Sequence, residues 1–430
     1  MTFWATTRRR PGQHALRLTR RGFLAGGASL AAGAAGAAED AILQGLIRQN
    51  QQSEFGQGYD SALRTIQMPK SSLPTLSAAT AQTTEQVIGQ YETIAARGGW
   101  PLVPPADRLR VGIRHASVVP LRARLAAVGD LDVATGTTDI FDSYVEAAVR
   151  RFQARHGLTV DGVLRDQTFK ALNVAADVRV AQLKTNLARL RSLSGNLGSR
   201  FVVCNVPAAQ IEAIENGVAI SRHTAVVGKP DRASPDINSK ITEISFNPYW
   251  TVPVSIVRRD LIPKMQTEPD YLTKNHIRIF NQRRQELQPE QVNWNTEEAV
   301  NYQFKQDPGD FNSLGAIRIS FPNPHQVYMH DTPFKNLFGE DFRFHSSGCV
   351  RIQNVRELVY WLLTETPGWP RVEVDRVIKD AERKDVKLVR PVPVYWVYVT
   401  AWAAADGVVQ FRDDIYGRDG LATAPNASAG

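Results

Sequence analysis

The chain has 430 residues, of which 43% are hydrophobic and 22% are charged, a length and composition typical of a folded protein with two or three domains. The formal net charge is +8, but residues 1–37 contain six arginines and no acidic residue, and the remainder holds 45 basic against 43 acidic side chains. Because nucleic-acid binding needs a basic face, this balance excludes nucleic acid as an expected partner.

Residues 1–37 have the features of an export signal. Their arginines precede a weakly apolar Gly/Ala-rich run at residues 22–38, and the small residues at positions 35–37 fit a cleavage site. Residues 19–24, Thr-Arg-Arg-Gly-Phe-Leu, resemble a twin-arginine export signal. A basic N-terminus or a membrane anchor is the alternative, but 17 Gly/Ala-rich residues make a poor spanning helix. We therefore expect an exported protein without a transmembrane anchor after cleavage.

Residues 38–110 are predicted to form a helical scaffold. Apolar residues recur at helical spacing over residues 85–96, and Gly98 and Gly99 end the pattern. Further along, residues 176–200 contain a basic amphipathic pattern that predicts a linker helix. A basic stripe is more often a solvated face than a binding patch, so we assign this helix no function.

Residues 111–175 are predicted to form a small three-helix domain. Val145, Val149 and Phe152 share one helix face, and residues 156–162, His-Gly-Leu-Thr-Val-Asp-Gly, form the next turn. This order resembles the small helical peptidoglycan-binding domain found in cell-wall enzymes. A generic three-helix bundle is the alternative, and even a true member of that family can serve as a spacer.

From residue 201 onward the pattern changes to short β-rich segments, which predicts a mixed β-sheet domain over residues 201–405. The turn signal Asp406-Gly407 then predicts a C-terminal hairpin and tail over residues 406–430. The segments expected to form strands are residues 201–206, 218–227, 241–246, 316–320, 326–330, 392–402 and 408–411. The predicted fold class is therefore α+β, with helical regions followed by a mixed sheet.

Residues 264–310 interrupt the predicted strands with polar, Gln-rich sequence and isolated aromatic residues. So long a connection inside a sheet domain is usually functional, so we expect a lid or capping insertion; a disordered insertion is the alternative. Just before it, Trp250 lies in an aromatic segment with prolines at residues 247–253. That segment suits an edge or a cleft wall, with core packing as the default for Trp250.

One stretch of the sheet domain carries a candidate nucleophile and a candidate base. Cys349 is one of two cysteines, and His330 precedes it by 19 residues. A thiol attacks as its thiolate, so it needs a base and donors for the oxyanion that forms. Alternation puts Tyr328 and His330 on one strand face, and Gly348 permits a tight turn whose N–H groups can form an oxyanion hole. On chemistry alone, a nucleophilic and a buried, inert Cys349 are equally good interpretations.

The other cysteine, Cys204, lies in a short apolar segment that is interpreted as a buried strand. Two cysteines in an exported protein can form a disulfide. A permanent bridge would exclude Cys349 from nucleophilic chemistry, so we interpret Cys204 as a small hydrophobic core residue.

Two motifs in this stretch are His-Asp-Thr-Pro at residues 330–333 and Ser-Ser-Gly-Cys-Val-Arg at residues 346–351. Together they resemble the signature of the L,D-transpeptidases, cysteine enzymes that remodel peptidoglycan. The resemblance covers roughly residues 85–418 and is similar in extent to the long periplasmic subtype of Gram-negative bacteria. Its other segments are residues 98–101, 227–230, 247–250, 322–323, 400–402 and 411–416.

The resemblance implies a role for each residue of the motifs. Cys349 would be the nucleophile, and His330 would be the general base and then the general acid. Ser347, Gly348 and Arg351 would form the oxyanion hole or position the substrate. Many family members have a histidine where this chain has Ser347, which is also the residue found in the long subtype.

Four neighbouring residues receive lesser expectations. We expect Tyr328 and Trp250 to bind substrate, and His345 to be a structural or surface residue. The group that orients the ring of the catalytic base stays open between Ser346 and a backbone carbonyl.

The implied reaction is peptidoglycan cross-linking in the periplasm. The thiolate attacks the L-centre carbonyl of diaminopimelate in a tetrapeptide stem, D-Ala leaves, and an amine of a second stem resolves the thioester. No metal or organic cofactor is expected. The expected partners are peptidoglycan stem peptides, with other cell-wall synthases as candidates. An L,D-carboxypeptidase or a hydrolase of the same links is the alternative activity, and a non-catalytic wall-binding protein is a third possibility.

Overall fold

The computed structural model of the chain describes residues 71–420. The predicted export signal at residues 1–37 lies outside the described residues, as do residues 38–70 of the predicted scaffold and residues 421–430. In the described part, no helix has the length and apolar character needed to cross a membrane.

Ten α-helical segments follow one another along the described chain. They are α1 (Ala78–Ala96), α2 (Val118–Ala126), α3 (Ser143–Arg155), α4 (Asp166–Leu172), α5 (Ala176–Leu193), α6 (Val254–Ile256), α7 (Ile262–Thr267), α8 (Tyr271–Lys274), α9 (Val355–Leu362) and α10 (Arg371–Lys379). A π-helical turn, Val257–Leu261, joins α6 to α7.

Fifteen strands form three sheets in the described chain. They are β1 (Arg200–Asn205), β2 (Gln210–Glu215), β3 (Val218–Gly228), β4 (Ile237–Phe246), β5 (Trp250–Thr251), β6 (Ile277–Phe280), β7 (Glu286–Leu287), β8 (Gln303–Gln306), β9 (Ile317–Ser320), β10 (Met329–His330), β11 (Phe344–Ser346), β12 (Val350–Ile352), β13 (Lys384–Val397), β14 (Ala401–Ala403) and β15 (Val409–Phe411).

Helix α1 begins earlier than the apolar pattern of residues 85–96 indicates. Ser77 caps it by accepting the Thr80 N–H at 3.0 Å, as N-cap serines do. The first turns are rich in Thr and Gln, which hides them from a search for apolar periodicity. Thr84 satisfies its hydroxyl by donating to the Thr80 carbonyl at 2.6 Å, so a polar segment still forms a helix.

The small helical domain encloses its own core. Val145, Val149 and Phe152 of α3, which were predicted to share a face, are all 0–1% exposed and pack against the apolar side of α2. Asp142 caps α3 by accepting the Val145 N–H at 3.0 Å. Gly157, with φ of 68°, lies just beyond the end of the helix, as glycine often does.

The main sheet closes into a barrel. Its strand order is β11-β3-β12-β10-β9-β4-β13-β1-β2, and β2 also pairs with β3, which removes the free edge that β2 would otherwise present. Three of its pairings are parallel: β1 with β13, β10 with β12, and β11 with β3. The predicted α+β class is confirmed, and the mixed sheet takes the form of a barrel.

The barrel core holds apolar side chains from its strands and from α9 and α10. Leu358, Val359 and Leu362 form the apolar face of α9 and are buried in this core. Cys204 in β1 is 0% exposed, and both cysteines are free thiols. The interpretation of Cys204 as a core residue is therefore confirmed.

An insertion between β4 and β9 folds as a unit with its own sheet. Its four strands have the order β5-β8-β6-β7, and helices α6 to α8 complete it. Val257, Leu272 and Phe304 are fully buried in its separate apolar core. The insertion begins at Trp250, ahead of the predicted start at residue 264, because the aromatic segment at residues 247–253 contributes its first strand.

The chain ends in the two-stranded hairpin of β14 and β15. The turn holds Gly407 at φ of 77°, as the Asp-Gly signal predicts. Both strands pack against α1 and α5, so the last strands of the described chain contact its first helix. The predicted division at residue 406 falls inside the turn.

Candidate active site

The register of two parallel strands brings the predicted site residues to one face. Met329 of β10 lies opposite Val350 of β12, and His330 lies opposite Arg351. Met329 and Val350 are 0% exposed and belong to the barrel core. Because successive side chains of a strand point to opposite faces, the other face carries Tyr328, His330, Cys349 and Arg351.

His330 is held by a backbone carbonyl. Its Nδ1 lies 2.5 Å from the carbonyl oxygen of Asp331, an acceptor, so Nδ1 carries the proton and Nε2 is left as the basic nitrogen. Burial lowers the pKa of His330 to about 3, and the charge of Arg351 acts in the same direction. At neutral pH the ring is therefore uncharged, and its Nε2 carries a lone pair.

Cys349 is half-buried and is a thiol in the resting site. Burial raises its pKa to about 11, while hydrogen bonds from the backbone N–H and phenol of Tyr328 and the charges of Arg351 and Arg318 act in the opposite direction. A neutral thiol beside a neutral imidazole needs proton transfer to the base during attack.

Tyr328 contacts both members of this pair. Its ring centroid lies 5.7 Å from that of His330, and its phenol interacts with the sulfur of Cys349. Burial raises the pKa of the phenol, and hydrogen bonding to Trp250 of the insertion acts against that rise. Tyr328 and Trp250 therefore lie beside the nucleophile, and the phenol of Tyr328 interacts with its sulfur.

The loop before Cys349 is fixed by Ser346. The Ser346 hydroxyl donates to the Cys349 carbonyl at 2.5 Å and accepts the Gly348 N–H at 3.2 Å. Both hydrogen bonds of the Ser346 hydroxyl therefore go to backbone groups of its own loop. Of the two groups expected to orient the His330 ring, the one that contacts it is a backbone carbonyl, that of Asp331. Gly348 adopts φ of 112°, a conformation that side chains rarely allow.

Ser234 holds the carbonyl of Gly348, and Tyr416 holds the backbone of Ser234. The buried Ser234 hydroxyl donates to it at 2.8 Å and accepts the Gly228 N–H at 3.0 Å. The Tyr416 phenol accepts the Ser234 N–H at 3.2 Å and donates to the Gly228 carbonyl at 2.6 Å. Because a trans peptide is planar with N–H and C=O opposed, the Cys349 N–H points away from Ser234.

The Cys349 N–H is thereby the backbone donor best suited to an oxyanion. Among residues 71–420 it has no hydrogen-bond partner, whereas the Gly348 N–H is taken by Ser346. The sequence did not indicate a role for Ser234, because the residues around it form no recognisable motif. Tyr416 lies in the segment 411–416 that carries the family resemblance, which was the one available signal for this support.

Arg351 is a half-buried cation beside the base. In the described part of the chain no carboxylate lies within ion-pair range of it, and its Nε–H is buried without a hydrogen-bond partner. Its guanidinium lies 5.9 Å from the ring centroid of Phe334. The side chain therefore offers free donors to an anionic group.

Ser347 links the loop to the insertion. Its hydroxyl accepts from Arg232 at 3.0 Å, and the same guanidinium nitrogen lies 2.6 Å from Asp260 in the π-helical turn of the insertion. His345, by contrast, pairs with Glu340 at 2.9 Å and makes the structural contact expected of it.

A cavity of about 290 Å³ lies between the insertion and the loop. Cys349 and His330 are not part of its wall, so it adjoins the motif loop beside the nucleophile. Its walls include Arg232, Ser255, Arg259, Val327, Ser347 and Gly348.

Two protein-family models match the chain. The model of the L,D-transpeptidase catalytic domain matches residues 199–374, which include Cys349, His330 and Arg351. A model described as "Putative peptidoglycan binding domain" matches residues 114–172, the small helical domain. The two matches agree with the two folded regions of the structure and with the order predicted for them.

Individual relatives match only part of the chain. A "Putative L,D-transpeptidase" of Haemophilus influenzae is 30% identical over 239 residues, which are 55% of this chain and 48% of the relative. The N-acetylmuramoyl-L-alanine amidase CwlM of Mycobacterium tuberculosis is 41% identical over 78 residues, 16% of this chain and 19% of that protein. The chain thus spans at most about half the length of these curated relatives.

A crystal structure of an L,D-transpeptidase from Stackebrandtia nassauensis aligns with 68% of this chain and 97% of its own, at 11% identity and a TM-score of 0.24. A superposition this loose carries no structural argument.

Proposed function

From the L,D-transpeptidase catalytic domain and the peptidoglycan-binding-type domain that the chain contains, we propose that it cross-links peptidoglycan stems between two diaminopimelate residues. The observation that carries this proposal is that His330 and Cys349 lie on one face of the paired strands β10 and β12, the histidine neutral and with its Nδ1 taken by the Asp331 carbonyl. The elements of this face are a nucleophile, a base and a cation.

In the first half-reaction a thioester forms. Cys349 Sγ bonds to the L-centre carbonyl carbon of diaminopimelate while its proton passes to His330 Nε2. The oxyanion accepts the Cys349 N–H, which points away from Ser234 because Ser234 holds the Gly348 carbonyl. The bond to D-Ala then breaks as His330 returns the proton to the leaving amine.

In the second half-reaction the thioester is resolved. The side-chain amine of a second stem attacks the thioester carbonyl and gives its proton to His330. The carbon–sulfur bond breaks, and the proton returns to the Cys349 sulfur. The products are a new amide between two stems and the resting neutral pair.

Three further residues support this chemistry. Tyr328 stabilises the developing thiolate through its N–H and phenol, which lower the pKa of Cys349. Arg351 provides free donors for a stem carboxylate near the reacting carbon. Trp250 brings the insertion to the Tyr328 phenol and so forms part of the donor site.

The test compares the muropeptides formed by Cys349→Ala and Cys204→Ala. Purified protein is incubated with tetrapeptide-rich peptidoglycan, which is then digested and separated by chromatography with mass detection. We expect Cys349→Ala to form no dimers and to release no D-Ala, while Cys204→Ala, which removes the buried thiol, retains both activities. Dimer formation by Cys349→Ala at the wild-type rate would contradict the proposal.

Water is the alternative acceptor, because the same thioester serves a carboxypeptidase. The folded insertion, tied to the motif loop through Asp260, Arg232 and Ser347, favours transfer to an amine since it can exclude water from the thioester. Accumulation of tripeptides without dimers in the same digest would assign the hydrolytic activity instead.

The proposed setting is the periplasm of a Gram-negative bacterium. It is supported by the signal-like residues 1–37 and by the presence of two domains of cell-wall type. Replacing Arg20 and Arg21 by lysine should block export of a reporter fusion if the twin-arginine signal is used. Other cell-wall synthases are candidate partners in that compartment.

A further inference from the structure

A second cavity lies where the small helical domain meets the barrel, apart from the Cys349 site. Its volume is about 60 Å³, well above the ~10–15 Å³ needed to hold one water molecule. The helical domain, α5, the barrel and the C-terminal hairpin region all contribute to its wall. The wall includes His156, Gly157, Arg179, Arg343, Phe411 and Arg412.

Three arginines of this wall are buried with an unsatisfied donor each. Arg179, Arg343 and Arg412 are only 4–7% exposed, and the Nε–H of each is buried without a hydrogen-bond partner among residues 71–420. Arg179 donates to the side-chain oxygen of Gln182 at 2.8 Å, whereas Arg343 and Arg412 donate to backbone carbonyls, such as Gly157 O from Arg343 at 3.4 Å. A buried donor without an acceptor is costly, and three at one cavity indicate a missing acceptor.

The carboxylates of the same wall already have partners. Asp341 accepts the Thr159 N–H at 2.5 Å, and Asp413 pairs with Lys170 at 2.7 Å. Arg412 has no carboxylate partner among the described residues and donates to the carbonyls of Arg155 and Phe411 at 2.9 and 2.7 Å. Asp413 and Asp341 also act on the charges of Arg179 and Arg343: burial lowers the pKa of each arginine, and the neighbouring carboxylate acts to raise it. The positive charge that the described residues leave uncompensated is therefore that of Arg412.

His156 adds an acceptor to the donors. Its ring is stacked between Phe152 and Phe411, with centroids 3.8 and 5.7 Å away, and Nδ1 lies 2.8 Å from the Phe152 carbonyl. Burial holds its pKa well below the ordinary value, so the ring is neutral and Nε2 is an acceptor. That nitrogen is buried and has no partner in the described chain.

We propose that this cavity binds a small oxyanion that carries one hydroxyl, of the hydrogenphosphate type, either as the free ion or as a phosphomonoester group. The guanidinium groups of Arg179, Arg343 and Arg412, which line the cavity, donate to its oxygens, and its hydroxyl donates to His156 Nε2. The bound anion neutralises Arg412 and joins groups from the helical domain and the barrel, so it stabilises their contact.

Thermal unfolding and calorimetric titration of the purified protein test this site. Inorganic phosphate, methyl phosphate, sulfate and acetate are added at constant ionic strength with chloride as the replacement. We expect saturable binding and a raised Tm with phosphate, and weaker effects with sulfate and acetate, which have no hydroxyl to donate at neutral pH. Methyl phosphate is compared with phosphate at about pH 5, below its second pKa of about 6, so that it keeps one hydroxyl. Methyl phosphate matching phosphate there would indicate a phosphomonoester as the source, and its exclusion would indicate the free ion.

Arg412→Gln and Arg390→Gln form a matched pair of variants. Losing a hydrogen bond to a charged group should weaken phosphate binding ~10–100-fold in Arg412→Gln. Arg390, which is 77% exposed, lies away from the cavity, and Arg390→Gln should bind phosphate as the wild type does. Equal affinity in Arg412→Gln, or no saturable phosphate effect in the wild type, would overturn the assignment.

Crystals of the wild-type protein grown with phosphate provide a readout that does not depend on a variant folding. Tetrahedral density between Arg343, Arg412 and His156 is the expected result. Water molecules alone in the cavity at saturating phosphate would overturn the proposal.

Discussion

At the scale of single residues, the chemistry of the site depends on two groups held in their neutral forms. Burial raises the pKa of Cys349 to about 11 and lowers that of His330 to about 3. The resting pair is thus a thiol and an imidazole, and the thiolate forms only as the proton moves. The Asp331 carbonyl fixes which ring nitrogen receives it.

The pH dependence of alkylation at Cys349 tests this view. Because only the thiolate reacts, its iodoacetamide rate should rise about tenfold for each pH increment of one from about pH 7 to pH 10. Arg351 lowers the pKa of the thiol, so Arg351→Gln should raise that pKa. Alkylation at pH 8 should then slow by about tenfold if the pKa rises by one. Peptide mapping separates Cys349 from the buried Cys204.

Two outcomes would contradict the neutral pair. One is a rate that is already constant above pH 7, as a preformed thiolate would give. The other is an Arg351→Gln variant that reacts at the wild-type rate, while the exposed Arg390→Gln serves as the control for a general loss of charge.

Ser234 should act as a positioning residue for the oxyanion donor. Ser234→Ala removes the hydroxyl that holds the Gly348 carbonyl, so the Cys349 N–H loses its fixed direction. We expect kcat to fall by about 10–100-fold, less than the ~10²–10³-fold loss of a whole oxyanion donor, with KM little changed. Ser234→Thr should recover most of the rate, and equal losses in both variants would indicate a packing defect instead.

At the scale of secondary-structure elements, local patterns predicted the site better than they predicted its support. Alternation along residues 326–330 predicted that Tyr328 and His330 share a face, and their ring centroids lie 5.7 Å apart. The strand is shorter than predicted: β10 covers only Met329–His330, and Gln326 has φ of 56°, which an extended strand does not adopt. The barrel closure through β2 and β3 and the contact of Ser234 with Gly348 depend on long-range pairing, which no local pattern encodes. The Thr- and Gln-rich start of α1 was missed because its side chains have low apolar content and bond to the helix backbone.

The insertion offers a test of water exclusion at the same scale. Asp260→Ala removes the partner of Arg232 and loosens the insertion from Ser347. We expect more tripeptide and fewer dimers per D-Ala released, because water gains access to the thioester. Glu297→Ala, which breaks an exposed pair with Arg258 within the insertion, should leave the ratio unchanged. An unchanged ratio in Asp260→Ala would contradict the lid role.

At the scale of the whole molecule, the helical domain contacts the barrel through close packing at Gly157. A Cβ added there would lie 2.6 Å from Arg412 Nε, and Arg412 in turn donates to the Arg155 carbonyl at 2.9 Å. The family resemblance included both segments, but only the folded chain shows that they meet. The histidine-glycine turn of the helical domain thus contributes to the domain contact.

Gly157→Ala should therefore destabilise the protein more than Gly136→Ala. Both glycines have positive φ, 68° and 78°, but no atom lies within 4 Å of a Cβ at Gly136. The shared backbone strain costs about 1 kcal/mol, and Gly157→Ala should lose roughly 1–3 kcal/mol beyond it by displacing Arg412. Urea unfolding measures the free energy of unfolding of the two variants. Equal losses would contradict the prediction and show that the Arg412 side chain moves aside without destabilising the protein.

The central claim is that Cys349 carries the stem peptide as a thioester. The most direct measurement is mass spectrometry of the protein quenched in acid during reaction with a tetrapeptide donor, followed by mapping of the modified peptide. The account predicts an adduct equal to the donor minus D-Ala on the peptide that contains Cys349, and none in His330→Ala. An adduct on another residue, or D-Ala release without any adduct in the wild type, would contradict it.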